Sequence, residues 1–335
     1  RQGIQIGNLP YHQLITMNLQ HRFPAQGITG PDLAPTPTAE VMGQYERNYQ
    51  KREHYRDDDC KPLSEEDKRL LASPEGQWRQ YPIDRDINIV QFHIQKTGGT
   101  YLSTVLLDHF NCTCPRGFKP TFDRWAKTCR CLVKLTTMFS GRRDPWHCSF
   151  PVLLKMHPPG SHYITQLRHP VERVVSEWMH CRNKMHGCWG QFSGMFKEKE
   201  LWPYGEFITH PRFQGNDRHV KLLVQENFYT LNNSKNTELL QAAKENLLKL
   251  TFFSLKDQDE LSYKLLAHTF LTQPTKTIFP KHINPRVEGH VDNVTNDEVL
   301  KTRELNEMDM NFYCFAVALF NQRVTQMDNW LASRG

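Results

Sequence analysis

The sequence predicts an α/β protein: a mostly parallel central sheet flanked by helices. Three observations carry that expectation. An apolar run, Ile87–His93, meets a turn holding Gly98 and Gly99, then a stretch, Tyr101–Phe110, whose Leu102, Val105, Leu106 and Phe110 share one helical face. A second apolar run, Ser161–Leu167, meets Arg168-His-Pro170 and then a helical stretch, Val171–Cys181. The remainder is rich in helical patterns and holds further short apolar runs, and such alternation covers both faces of a parallel sheet with helices.

Taken in order, residues 1–80 read as an irregular stem or N-terminal appendage, and residues 81–330 as one domain. Pro and Gly recur through Gly30–Pro37, and the charged run Glu46–Lys61 lacks an apolar face. Only Leu63–Ala72 shows a helical pattern, with Ser64 as its cap and Glu65 and Glu66 in its first turn. Between the two strand–turn–helix units, Pro151–Met156 reads as a further short strand, and Thr251–Leu255 as another. Helical patterns cover Asn216–Gln225, Thr237–Leu250, Gln258–Leu271 and Asp297–Arg323. There is no internal repeat and no low-complexity tract.

Bulk composition narrows the class. With 335 residues, 38% of them hydrophobic, the chain can build one large core and still carry an appendage. No run approaches the length of a membrane-spanning helix. The chain opens at Arg1 and not at Met, which reads as a leader or anchor trimmed away. A net charge of +6 favours anionic ligands without demanding nucleic acid. Nine cysteines, with sequons at Asn111, Asn232 and Asn293, favour an oxidising, secretory compartment. Cys112, Cys114, Cys129 and Cys131 are expected to form two disulfides in the insert after the first helix. Zinc ranks second there, because two residues between thiols suit tetrahedral ligation better than one. The odd ninth cysteine leaves at least one thiol free or intermolecular.

The chemistry concentrates where strands hand over to helices. Lys96-Thr97-Gly98-Gly99-Thr100 sits between a strand's carboxyl end and a helix's amino end, where free N–H groups and the helix dipole attract anions. Gly98 and Gly99 let the backbone approach a phosphate, Lys96 adds a point charge, and Thr97 and Thr100 carry hydroxyls. GxxxxGK[ST] and GxGxxG are both missing, which argues against ordinary nucleoside-triphosphate hydrolysis and against a dinucleotide. Arg168 ends the second strand, where a guanidinium can grip a phosphate in bidentate fashion. Pro170 suits a first helical turn, and Ser176 lies about two turns into that helix.

Jointly, these elements resemble the 5′- and 3′-phosphate-binding motifs of sulfotransferases that use 3′-phosphoadenylyl sulfate (PAPS). Phe92-His-Ile-Gln-Lys-Thr-Gly-Gly-Thr100, the two CxC pairs, Tyr163–Arg168 through Ser176-Glu-Trp178, Asn216–Leu223, Ala243–Leu255 and Glu304–Met310 resemble the heparan sulfate 6-O-sulfotransferase family. The resemblance covers about Tyr81 to Arg323. It implies a P-loop-like sulfotransferase fold, PAPS as sulfate donor with no metal, and heparan sulfate as the acceptor. It also implies a Golgi-lumenal, type II membrane protein whose anchor is missing from this chain. Lys96, Thr97, Gly98, Gly99 and Thr100 would hold the 5′-phosphosulfate, Arg168 and Ser176 the 3′-phosphate, and Arg286, with Gly289, a late loop closing over the nucleotide.

The acceptor side departs from the family pattern. Sulfuryl transfer needs the acceptor hydroxyl deprotonated as it attacks in line, and histidine suits that task. The family places its catalytic histidine in a His-Ala-Asp-Trp segment; here the best match is His147-Cys-Ser-Phe150, with Ser149 and Phe150 in place of Asp and Trp. His147 is the expected base and His157 the alternate, with Lys96 stabilising the leaving oxygen. Lys134, Arg142, Arg143, Lys155, Arg218 and Lys221 are candidate cations for a sulfated polymer, and Trp146, Trp178, Trp189 and Trp202 candidate sugar-stacking rings. The rival readings are a sulfotransferase for another glycan position or for tyrosine, a non-catalytic glycosaminoglycan-binding relative, and a P-loop-like kinase.

Overall fold

The computed structural model describes residues 60–83, 86–113, 131–138, 149–183, 203–211, 213–224, 236–271 and 294–334. Four strands, β1 (Asn88–Phe92), β2 (Lys134–Met138), β3 (His162–Leu167) and β4 (Phe252–Leu255), form one sheet in the order β2-β1-β3-β4. Every pairing is parallel: Ile89 lies opposite Leu135 and His162, and Ile164 opposite Phe252. Ile89, Val90, Phe92, Ile164, Phe252 and Phe253 are all buried, as expected of strands covered on both faces. The sheet lies in one compact unit, Tyr55–Val324; the last helix runs on from Thr325 into a second.

Helices fill the crossovers. In chain order they are α1 (Glu65–Ala72), α2 (Gly99–His109), α3 (Phe150–Met156), α4 (Pro170–Asn183), α5 (Tyr204–Thr209), α6 (Arg218–Val224), α7 (Asn236–Leu248), α8 (Asp259–Thr269), α9 (Asn296–Leu305) and α10 (Glu307–Ala332). Helix α1 starts at the expected cap: the Ser64 hydroxyl accepts from the Asp67 amide at 3.1 Å. Helix α2 ends on Asn111, held at φ 46°, a left-handed position that asparagine tolerates. Val171, Val174, Val175 and Trp178 of α4 pack against Tyr204, Phe207 and Ile208 of α5, so Trp178 is a core residue and not a sugar-stacking ring.

Two expectations are corrected here. Residues 150–156 form a helix and not a strand: Phe150 and Leu153, three apart, are the buried pair, Leu154–Met156 face solvent, and Pro151 suits a first turn. The span Asp297–Arg323 is broken at Asn306. A capping box between Thr295 and Glu298 opens α9, and the Asn306 side chain is engaged elsewhere, accepting from the Asp217 amide at 3.0 Å. β2 and α5 have no counterpart in the sequence-based expectation.

Disulfides tie the fold. Cys112 is bonded to Cys131, which leaves no four-thiolate zinc site at the CxC pairs; Cys114 and Cys129 lie outside the described residues. Cys181 is also disulfide-bonded. Cys60 is joined to Cys314 across 254 residues, on α10. The Lys244 ammonium pairs with Asp67 at 2.6 Å, and the Trp78 indole donates to the Thr269 hydroxyl at 3.1 Å. Residues 60–80 are thereby fastened to the body; residues 1–59 lie outside the described set.

Candidate active site

The strand order locates the site before any residue is named. From β1 the chain crosses to β2 on one side, then returns to β3 and β4 on the other. Between β1 and β3 the order reverses, and in open α/β sheets the crevice at the carboxyl ends of such strands is where ligands bind. The turn after β1 and Arg168 after β3 flank that crevice.

The turn is built for close approach. Lys96 has φ 64° and Gly98 φ 99°, both in the left-handed region, and Gly98 caps α2. A β-carbon on Gly98 would lie 2.5 Å from the end of the Gln166 carboxamide; one on Gly99 would lie 1.7 Å from the His93 ring. Both glycines are thus required sterically. Beneath the turn, the Gln91 amide donates to the Gly99 carbonyl at 2.8 Å, and the Ser103 hydroxyl lies 2.7 Å from both that carbonyl and the Gln91 amide oxygen. The Gln166 carboxamide, with its nitrogen toward the turn, donates to the Gly98 carbonyl at 2.6 Å and that of Thr97 at 3.2 Å. The buried Thr97 hydroxyl donates to the Ile94 carbonyl at 2.9 Å, so this side chain braces the turn. With its carbonyls gripped from below, the turn faces the crevice with the positive end of α2. Thr100 is in the first turn of that helix.

Arg168 joins the turn after β1 to the start of α4. Its Nε donates to Glu172 at 3.0 Å, and its Nη1 donates to the Lys96 carbonyl at 3.3 Å. Farther along α4, Ser176 is half-buried, and beside it Arg173, Glu177 and Arg218 form a buried network: Arg173 to Glu177 at 2.9 Å, Arg218 to Glu177 at 3.4 Å, and Arg173 to the Gly215 carbonyl. Burial pushes the Glu177 carboxyl up, but the Arg218 and Arg173 guanidiniums outweigh it and, with Lys96, hold the group below its usual range. His93 is driven down to about 3 by burial and by Lys96, so it is neutral and a weak base. The carboxyl edge of the sheet is therefore a cationic crevice with a shaped backbone floor, suited to a phosphorylated ligand.

The sulfotransferase family matches residues 79–316, the span that holds all of this architecture. The chain belongs to the sulfotransferase family. Curated relatives agree. Heparan-sulfate 6-O-sulfotransferase 1-B of Danio rerio is 28% identical over 319 residues, covering 78% of this chain and 76% of that protein. Heparan-sulfate 6-O-sulfotransferase 1 of Cricetulus griseus is 28% identical over 338 residues, 87% of this chain and 76% of that one. Heparan-sulfate 6-O-sulfotransferase 3 of Homo sapiens is 29% identical over 289 residues, 71% of this chain and 58% of that one, so this chain matches little more than half of its length.

Other expected residues of this sulfotransferase fall elsewhere. His147, Arg142, Arg143, Trp146, Trp189, Trp202, Arg286 and Gly289 lie outside the described residues, as does the Thr100 side chain. His157 ends α3 and packs edge-on against Tyr163, 6.4 Å between ring centres, near the start of β3. Lys134 opens β2 beside Asn88 and pairs with Asp86 at 3.3 Å, at the amino end of the strands. Arg218 is buried on Glu177, and Lys221 donates to the Asn216 carbonyl at 2.7 Å, so α6 offers neither as a surface patch for a polymer. Lys256, unremarked in the sequence, stands at the crevice: it directly follows β4, and its amide donates to the Leu167 carbonyl at 2.9 Å. The signal that finds it is a cation immediately after a parallel strand, the position Arg168 also holds.

Proposed function

We propose that this sulfotransferase moves a sulfuryl group from PAPS to a hydroxyl of heparan sulfate, the 6-O of glucosamine. The observation that carries the reading is the Arg168–Lys96 contact at the switch point, which puts two cations and a left-handed glycine turn in one crevice. Lys96, Thr97, Gly98, Gly99 and Thr100 would take the 5′-phosphosulfate, Arg168 and Ser176 the 3′-phosphate, and Arg286 would close over the nucleotide. The names of the relatives support the acceptor and the position.

In the step itself, the acceptor oxygen attacks sulfur while the bond from sulfur to the bridging oxygen breaks. His147 accepts the hydroxyl proton, and Lys96 neutralises the charge growing on the departing phosphate. His147 is preferred to His157 because His147-Cys-Ser-Phe150 is the better match to the histidine segment of the family.

Disulfides Cys60–Cys314 and Cys112–Cys131 support an oxidising, Golgi-lumenal setting; because residues 60–80 are fastened to the body, the stem of a type II membrane protein would be confined to the residues before Cys60. Among the described residues no helix is long and apolar enough to cross a membrane. The deciding experiment is disaccharide analysis of heparan sulfate incubated with PAPS and the protein: new 6-O-sulfate supports the reading, sulfate at another position moves it to a sister activity, and no incorporation rejects it. His147→Ala should lose about 10²–10⁴-fold in turnover while binding 3′-phosphoadenosine 5′-phosphate normally. Full turnover in that variant with a dead His157→Ala would transfer the role to His157.

A further inference from the structure

Lys256 has the geometry of a ligand-binding cation and not of a core or surface lysine. By extending the β3–β4 ladder one residue past Leu255, it stands at the same sheet edge as Arg168. Its side chain lies against the phosphate turn: Cδ is 2.9 Å from the place a β-carbon on Gly98 would occupy. Its ammonium sits 4.4 Å above the ring of Tyr101, in the first turn of α2, and is paired with Asp259 in the first turn of α8. Both side chains are mostly buried, at 18% and 17% exposure. Two helix amino ends and two further cations, Lys96 and Arg168, make this a place of positive potential, where an ammonium without an anion would be repelled. Asp259 supplies one negative charge; a bound phosphate at the mouth of α2 would supply more, with unhindered acceptor oxygens. A lysine, as a point charge on a rotatable stem, can exchange one for the other.

Resting on the donor-site reading above, we propose that Lys256 is a third cation of that site: it contacts the donor's 5′-phosphate when nucleotide is bound and Asp259 when it is not. Calorimetry on the whole chain tests this with 3′-phosphoadenosine 5′-phosphate and with adenosine 5′-phosphate, which lacks the 3′ group. Lys256→Met keeps the packing stem and removes the charge; it should bind both nucleotides roughly tenfold more weakly. Asp259→Asn should bind them about two- to threefold more tightly, and that gain should vanish in the double variant, because the carboxylate acts through Lys256. Unchanged affinity in Lys256→Met, a loss confined to the 3′-phosphorylated nucleotide, or a gain that persists in the double variant each overturns the proposal. Should Lys256→Met fail to fold, Asp259→Asn decides alone, and no tightening there is the refuting result. A wild-type chain that binds neither nucleotide would refute the donor site itself, a distinct outcome.

Discussion

The two ends of the parallel sheet hold cations in opposite ways. At the carboxyl end, side chains grip the carbonyls of the turn, and Lys96, Arg168 and Lys256 gather around the positive end of α2. At the amino end, each nitrogen of the Arg323 guanidinium donates to a backbone carbonyl: Glu75 at 3.0 Å, Gly76 at 3.4 Å and Leu250 at 3.5 Å. Burial there pulls its pKa down to about 10. Tyr81, His162 and Phe270 stack edge-on beside it, 4.6 Å between the first two rings. A cavity of about 180 Å³ also opens at this end, lined by Trp78, Tyr81, Leu250 and Arg323. Its guanidinium already has its acceptors, so we do not read it as a phosphate site. A buried cation marks a site only when the surrounding backbone leaves it something to bind.

That contrast breaks or holds on mutation. Lys96→Ala or Arg168→Ala should abolish transfer and weaken 3′-phosphoadenosine 5′-phosphate binding by about 1.5–3 kcal/mol each, with the fold retained. Calorimetry paired with circular dichroism reads both, and wild-type affinity in the two variants would erase the distinction between the ends. Arg323→Ala should do the reverse: a stability loss of about 3 kcal/mol in denaturant melts, from carbonyls left unsatisfied, with nucleotide affinity preserved in the folded fraction.

Gly99→Ala should cost about 1–3 kcal/mol and impair nucleotide binding, because the new methyl overlaps the His93 ring. Adding His93→Ala should recover most of the stability; no recovery would show that backbone conformation, and not the histidine, demands glycine.

The mildest effect is expected where α6 meets α10. Asp309 accepts from the amides of His219 and Val220, at 3.0 and 2.9 Å, and bonds the His219 ring at 2.7 Å, while Asp217 accepts from the Asp309 amide at 3.0 Å. Helices α6 and α10 thus cap one another. Burial, then the Asp309 carboxylate, raises Asp217 from 3.8 to about 7. A carboxyl with a raised folded pKa contributes stability that is complete below its unfolded value and is lost as pH rises through the folded one. Between about pH 4 and 7, Asp217→Asn should therefore flatten a decline in melting temperature while keeping the acceptor oxygen; an unchanged slope would place the decline elsewhere.

What was legible in the sequence was local. Lys96–Thr100 and Arg168–Ser176 could be read because strand, glycine turn and helix are contiguous, and each boundary carries its own signal. Lys256 carries a local cue, a cation directly after the strand pattern Thr251–Leu255, but its nearness to the glycine turn depends on β4 pairing with β3 across about ninety residues, which no local pattern encodes. The mutual caps of Asp217 and Asp309 are hidden for the same reason: each reads as an ordinary acid near a helix start. Residues 150–156 were misread because a short apolar run fits either period, and Pro151 was the cue that should have decided for a helix.

Cys60–Cys314 has a topological consequence. The bond closes 255 consecutive residues into a covalent ring holding all four strands, the glycine turn, Lys96, Arg168 and Lys256, while Arg323 lies beyond it. A protease cut anywhere inside that ring opens a loop without releasing a fragment, so a nicked chain migrates as one species until it is reduced. A pull on the chain from before residue 60 passes through sulfur into α10 and bypasses the sheet. The crevice is thus mechanically insulated from whatever holds the amino-terminal end.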